Sequence, residues 1–273
     1  MRSALMLTAA LVWAPQQDWV VAYAPQQLQC ARYLEDGKSS IQTETDGRIR
    51  NQTSERRGYW QFRASRSDAG IALEAWLDSL TLTRRSPELT LSPDTDGLLG
   101  GRYRGVLSRT GAYRSEVQPF IPDEVAEVAG MGTALDDFFP PLPPLPLEVG
   151  KSWTDSAGLT IRRLRDSSLS GLPLFRFELH RKAETRVSAA TRGDSLAVPH
   201  RQVSEESGSF VWHPTLGILR RDRRIVVQTA VLVSRTVRRP IRSRLEQRVV
   251  VHRDLRGDPT ECRNGGTRER GNE

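Results

Sequence analysis

Apolar and charged side chains alternate one for one through long stretches of this chain, and a period of two marks a β-strand with one buried and one wet face. Phe175, Phe177 and Leu179 share one face of such a strand, while Arg176, Glu178 and His180 take the other. Tyr59 to Ala64 repeats the pattern with Trp60, Phe62 and Ala64, and Leu245 to His252 repeats it with Leu245, Val249 and Val251. Ile225 to Val233 is a nearly continuous β-branched run, as expected of a strand covered on both faces or central in its sheet. In Ile71 to Thr83 the first half also fits a helix. A strand with a bulge is preferred, because the phase of Ile71, Leu73, Ala75 and Leu77 switches to Leu80 and Leu82, as one inserted residue near Asp78-Ser79 accomplishes.

These segments predict a mainly β protein, a large curved antiparallel sheet or open barrel with a short broken helix between two halves. Residues 101–113 and 208–219 read as copies of one hairpin: glycine, an aromatic two residues on, a glycine-containing turn and a second strand. Convergent hairpins explain so short a match as well as duplication does. Between them, Pro122-Asp123-Glu124 supplies an early proline and first-turn acids, and Val125, Val128 and Ala129 share a face. Gly130 and Gly132 interrupt before Leu135, Phe138 and Phe139, and Pro140 to Pro146 imposes an extended segment. The expected layout is a first β half at 25–121, a helical and proline-rich connector packing on the sheet at 122–152, a second, basic half at 153–256, and a disordered tail at 257–273.

Residues 1–24 have the form of a secretory signal peptide: Arg2, then an apolar stretch from Ala4 to Ala14. Its cleavage site stays open, since Ala14 and Ala24 are both followed by proline. A buried N-terminal segment is the alternative. Export to a periplasmic or secreted location makes Cys30 and Cys262, the two cysteines of the chain, a candidate disulfide, with two buried thiols as the other reading. In the chain-entropy model a loop that long adds roughly 3 to 5 kcal/mol. No membrane-spanning helix is expected.

Charge is uneven. Residues 1–159 carry 16 basic and 20 acidic side chains, about −4, and residues 160–273 carry 24 and 13, about +11. Such a field suits an anionic envelope surface or an envelope protein as partner. The arginines alternate with apolar residues, as on a solvated sheet face, and no nucleic-acid-binding motif accompanies them, so nucleic acid is disfavoured.

The motifs that carry chemistry fail one by one. Gly37-Lys38-Ser39 and Gly150-Lys151-Ser152 lack the earlier glycine of a phosphate loop, which is replaced by Arg32 and Leu145. Asp94-Thr95-Asp96-Gly97 opens like a calcium loop without the closing acid, and reads as a turn. His180, His200, His213 and His252 form no recognised catalytic or zinc-binding pattern; His180 and His252 fall on polar strand phases and His213 in a turn. The acid pairs Asp136-Asp137 and Glu205-Glu206 point apart as neighbours do. Neither a metal nor a cofactor is expected, and the chain reads as non-enzymatic. The aromatic residues either fill the core or line an apolar pocket; in the second case Trp76, Phe138, Phe139, Trp153 and Trp212 are the candidate ligand contacts.

The segments Pro122 to Phe139, Pro140 to Trp153 and Gly208 to Leu219 give residues 28–255 a layout that resembles the periplasmic lipoprotein-carrier proteins, open β-barrels, and their uncharacterised exported relatives. The resemblance implies an open barrel that holds an acyl chain under its helices, and it assigns no functional residue. The leading expectation is a non-enzymatic envelope protein binding a hydrophobic or lipidic ligand. Two alternatives are a structural module that contacts another envelope protein through its β surface, and a hydrolase with dispersed catalytic residues.

Overall fold

In the computed structural model, residues 21–169, 171–187, 200–231 and 239–256 are described. A short helix, α1 (Pro25–Leu28), precedes β1 (Arg32–Thr45), β2 (Arg48–Ser67), β3 (Gly70–Arg85), β4 (Thr90–Leu91), β5 (Tyr103–Leu107) and β6 (Tyr113–Val117). A second helix, α2 (Asp123–Val128), and a 3₁₀ turn at Met131–Thr133 follow. Then come β7 (Ser152–Thr154), β8 (Thr160–Arg163), β9 (Ser167–Leu169), β10 (Leu172–Val187), β11 (His200–His213), β12 (Gly217–Val231) and β13 (Ile241–Arg253). All thirteen strands belong to one antiparallel sheet that does not close, in the order β6-β5-β3-β2-β1-β13-β12-β11-β10-β8-β7, with β4 on β3 and β9 on β10.

The first half builds outward from the centre of this sheet and the second builds inward from the far edge. They join where β1 pairs with β13, from Tyr33–Arg253 to Thr45–Ile241. The phase switch in β3 is a bulge: Trp60 faces Leu77 and Tyr59 faces Ser79, leaving Asp78 as the extra residue. The two matching hairpins take different places, since β5-β6 forms one edge of the sheet while β11 and β12 lie inside it. The β-branched run in β12 is central as expected but not covered on both faces, because Ile225 to Val231 are only half-buried along the described part.

One face of the sheet, here the inner face, carries the core. Tyr33, Trp60, Phe62, Leu77 and Tyr103 come from the first half and Phe175, Phe177, Phe210 and Trp212 from the second, all buried. The chain from Pro122 to Leu147 lies across them as a plug. Only its start is helical; after Gly130 it tightens into the 3₁₀ turn and then successive turns, because the glycines that end α2 leave too few residues for a second helix. Phe138 packs on Tyr33, Trp60 and Phe62 at 5.1 to 6.2 Å between ring centroids. Each such burial contributes about 1.5–3 kcal/mol.

Tyr23 belongs to this core. It is 1% exposed, its hydroxyl donates to the Pro140 carbonyl at 2.9 Å, and its ring lies edge-on to Trp212 and Phe139. The leader boundary drawn at residue 24 therefore falls inside the packed body. Gly111, at φ 96°, makes room for this contact, since a Cβ there would meet the Pro140 oxygen at 2.6 Å. Arg253 closes the same end: its Nη1 donates to the carbonyls of Gln27 and Leu216. Cys30 lies just before β1 at φ 58°, while Cys262, the tail 257–273 and residues 1–20 lie outside the described residues.

Candidate functional site: an arginine-lined pocket at the edge of the plug

Strand register turns the inner face into a ladder of rungs shared by β1, β13 and β12. Glu35, Val251 and Arg221 form one rung, and Gly37, Val249 and Arg223 form the next. Ser39, Gln247 and Ile225 follow, and then Ile41, Leu245 and Val227. Arg56 of β2 faces Gly37 and packs at van der Waals distance from where a Cβ there would stand. The plug covers the first two rungs and ends there. About 20 Å separates the Arg221 rung from the Val227 rung at roughly 3.3 Å per residue, and over that distance the sheet changes from core to half-exposed surface.

A cavity of about 260 Å³ opens where the plug stops, between Gly130–Phe138 and the four central strands. Its polar wall holds Arg56, Arg221, Arg223, Glu35 and Asp137. Ile225, Val249 and Val251 line it beside the arginines on the same sheet face, and Phe138 lines it from the plug. A smaller cavity of about 150 Å³ meets it at Arg56, Gly130 and Gln247 and continues past Ser39 and Leu245.

The charged groups are unequally satisfied. Glu35, 2% exposed, accepts from Trp60 Nε1 at 2.6 Å and from Arg56 Nη2. Arg223 donates through Nε to Glu206 at 2.6 Å and through Nη1 pairs with Asp137 at 2.7 Å, and Glu206 also accepts from Arg181 at 2.7 Å. Burial alone would lower the pKa of Arg223, but the hydrogen bonds to Glu206 and Asp137 raise it. Arg221 differs. It is 5% exposed, its Nε has no hydrogen-bond partner, and it takes part in no ion pair among the described residues. Burial, and then the neighbouring Arg223, pull its pKa down to about 10, so it stays charged at neutral pH. Arg56 Nε, in the same pocket, is also buried without a partner.

Of the residues expected to contact a ligand, Phe138, Phe139 and Trp212 lie in one aromatic cluster, with Tyr23 bridging Trp212 to Phe139. They pack against one another and against the sheet. Trp153 is half-buried on β7, at the edge of the same core. Trp76 stands on the outer face, between Arg102 at 3.9 Å and Arg63 at 5.4 Å, its Nε1 donating to Asp78. It shares no surface with the others.

His213 is buried, and its Nδ1 accepts from the backbone N–H groups of Thr215 and Leu216, so its ring caps its own turn. The acid pairs do split as neighbours must, yet one member of each, Asp137 and Glu206, meets the same guanidinium of Arg223. On the outer face the basic excess of the second half is partly neutralised in cross-strand pairs: Arg248–Asp222, Arg224–Glu246 and Arg201–Glu184. Among the described residues no helix is long and apolar enough to cross a membrane, and no three His, Cys, Asp or Glu side chains group as metal ligands would.

The pocket arginines were not singled out from the sequence. The available signal was phase: Arg221 and Arg223 stand on the same alternation as Ile225 and Val227, and Glu35 on that of Tyr33. A charge on the apolar phase is the mark of an inward-facing ionic group.

No protein family and no curated protein matches the chain. Among solved structures it is similar to a DUF1329 family protein from Desulfovibrio piger, an uncharacterised bacterial family, at 7% identity and a TM-score of 0.18 over 87% of this chain and 91% of that one. It is also similar to MucB in complex with MucA at 12% identity and a TM-score of 0.10 over 81% of this chain and 89% of that one. Scores this low establish no shared activity, and function has to be read from this chain's own residues.

Proposed function

We propose that this chain is an exported, non-enzymatic envelope protein that binds a hydrophobic or lipidic ligand on the uncovered half of its inner face. One observation carries the reading: the plug stops at the arginine pocket, while the apolar phase of the sheet continues beyond it to Ile41, Leu245 and Val227. Ile41 is 38% exposed, Val227 is half-buried, and Leu245, also half-buried, shares with Val128, Ala129 and Gly130 a cavity of about 150 Å³. At about 260 Å³ the cavity is smaller than the roughly 300–1,000 Å³ of a typical ligand site, so the ligand extends out of it along this strip. Of the aromatic cluster Phe138 lines this cavity, while Phe139 and Trp212 are buried against other rings.

Export follows from the leader, and Tyr23 restricts where the leader is removed. Cleavage after Ala14 keeps Tyr23 in the mature chain, whereas cleavage after Ala24 deletes a core residue. The N-terminal sequence of the periplasmic protein is expected to begin upstream of Tyr23; a start at Pro25 would overturn this. Such export favours a Cys30–Cys262 disulfide tying the two ends of the chain together.

Native mass spectrometry of periplasmic protein, followed by organic extraction, tests the binding reading. Reproducible co-purified lipid is expected, and Leu245→Asp or Val227→Asp is expected to remove it. A bare mass, with no uptake from added lipid, would sink the proposal. It would favour a protein-contact module, for which Phe120, 82% exposed three residues after the edge strand β6, is the supporting feature.

A further inference from the structure

We infer that the ligand carries an acidic head group, a carboxylate or a phosphate monoester, which seats on Arg221 under the Gly130–Asp137 turn while its apolar chain runs toward Val227 and Leu245. This inference rests on the binding reading above and names the ligand class for that site.

The argument starts from cost. A buried guanidinium without a partner is strongly unfavourable, and folded proteins pair such groups or leave them in water. Here the neighbouring buried and half-buried arginines do have acceptors. Arg223 has two carboxylates, Arg56 has Glu35, and Arg253 has two backbone carbonyls and the Tyr33 hydroxyl. Arg221 has none, and it lines a cavity in which Arg56 Nε is a second donor without an acceptor. Both Nε atoms are enclosed, so an acceptor from outside the chain meets Arg221 through its outer nitrogens, which have no hydrogen bond or ion pair among the described residues. Formal charge agrees when counted over the whole ion-pair cluster: Arg56, Arg181, Arg221 and Arg223 against Glu35, Asp137 and Glu206 leave one positive charge, which a single anion neutralises.

Shape supplies the rest. Val251, Val249 and Ile225 stand beside the arginines on the same sheet face, Phe138 faces the cavity from the plug, and the cavity leads along the sheet toward the Ile41–Leu245–Val227 rung, so a bare inorganic anion would leave most of the site unused. The guanidinium fork accepts a carboxylate or a phosphate in the same plane, which is why both head groups belong to the inferred class.

The test uses the mature full chain, stripped of lipid, and four probes: palmitate, hexadecyl phosphate, the neutral hexadecanol and inorganic phosphate. Binding is read by calorimetry or native mass spectrometry. Palmitate, hexadecyl phosphate or both are expected to bind at least tenfold more tightly than hexadecanol, and inorganic phosphate only weakly. Preference between the two acids identifies the source as a free fatty acid or a phosphorylated lipid. Arg221→Met is expected to lower affinity for the acids ten- to a hundredfold, the worth of a charge-assisted hydrogen bond, and to leave hexadecanol binding and the melting temperature undiminished. Arg221→Lys restores part of the loss. Equal binding of acid and alcohol, or acid binding indifferent to both variants, would overturn the head-group inference and leave the lipid strip standing. Failure of all the long-chain probes would overturn the binding reading itself.

Discussion

The two ends of the inner face rest on the same central strands and the same alternation, yet one is a filled core and the other an open ladder. At the plugged end Phe138 closes on Tyr33, Trp60 and Phe62, so each ring has a partner, and of these four only Phe138 also lines the cavity. Eight residues along β1 from Tyr33, Ile41 and its rung partners Leu245 and Val227 occupy the same phase and are only partly covered by the described residues. Alternation therefore specifies which side chains face inward. What stands over them decides whether they become core or binding surface.

The largest effect that separates the two ends is expected from truncating the plug. Phe138→Ala leaves a void between four aromatic side chains and should cost about 3–5 kcal/mol in denaturant unfolding. Leu245→Ser at the open end should cost under about 1 kcal/mol, because its side chain is already half in water. Similar losses at both sites would show that the open end is packed in solution.

At the boundary between the ends, the two acids of the pocket provide a finer contrast. Glu35→Ala strands Arg56 and leaves Trp60 Nε1 without its acceptor, and is expected to cost about 3 kcal/mol. Asp137→Ala removes a carboxylate that is 67% exposed, and Arg223 keeps Glu206, so the expected cost is about 0–1 kcal/mol. Equal unfolding midpoints for these two variants would contradict the assignment of Glu35 to the core side.

The smallest effect concerns pH. The pKa of His213 is lowered from 6.5 by burial and then by Arg253, so the unfolded chain takes up its proton first. Its contribution is present above about pH 6.5 and is lost as the pH falls through the folded pKa. His213→Asn, which keeps an acceptor for the turn, should make stability less steep below pH 6.5 than in the parent. An unchanged slope would place the ring in a solvated site.

Much of the fold was legible because its signals are local. The phase switch at Asp78-Ser79 is a bulge, Trp60 and Phe62 do face the core, and the glycines at 130 and 132 do end the helix. The burial of Tyr23 was not legible, because its partners, Trp212, Phe139 and Pro140, lie more than a hundred residues away, and nothing near Tyr23 distinguishes a leader's end from a core residue. Trp76 looked like its fellow tryptophans in composition, but it stands beside Leu77 on a strand, and the two must face opposite sides.

The site shows the same division between local and long-range information. By itself the sequence determined the strands, the inward phase, the break in the helix and the charge each half carries, since these depend on neighbours within a few residues. Only the tertiary structure decided that Glu35, Arg56, Arg221 and Arg223 converge. Their meeting requires the pairing of β1 with both β2 and β13 and of β13 with β12, and it requires a plug whose edge lies over them. Register between strands two hundred residues apart, and the length of a cover that crosses them, are set by packing across the whole sheet.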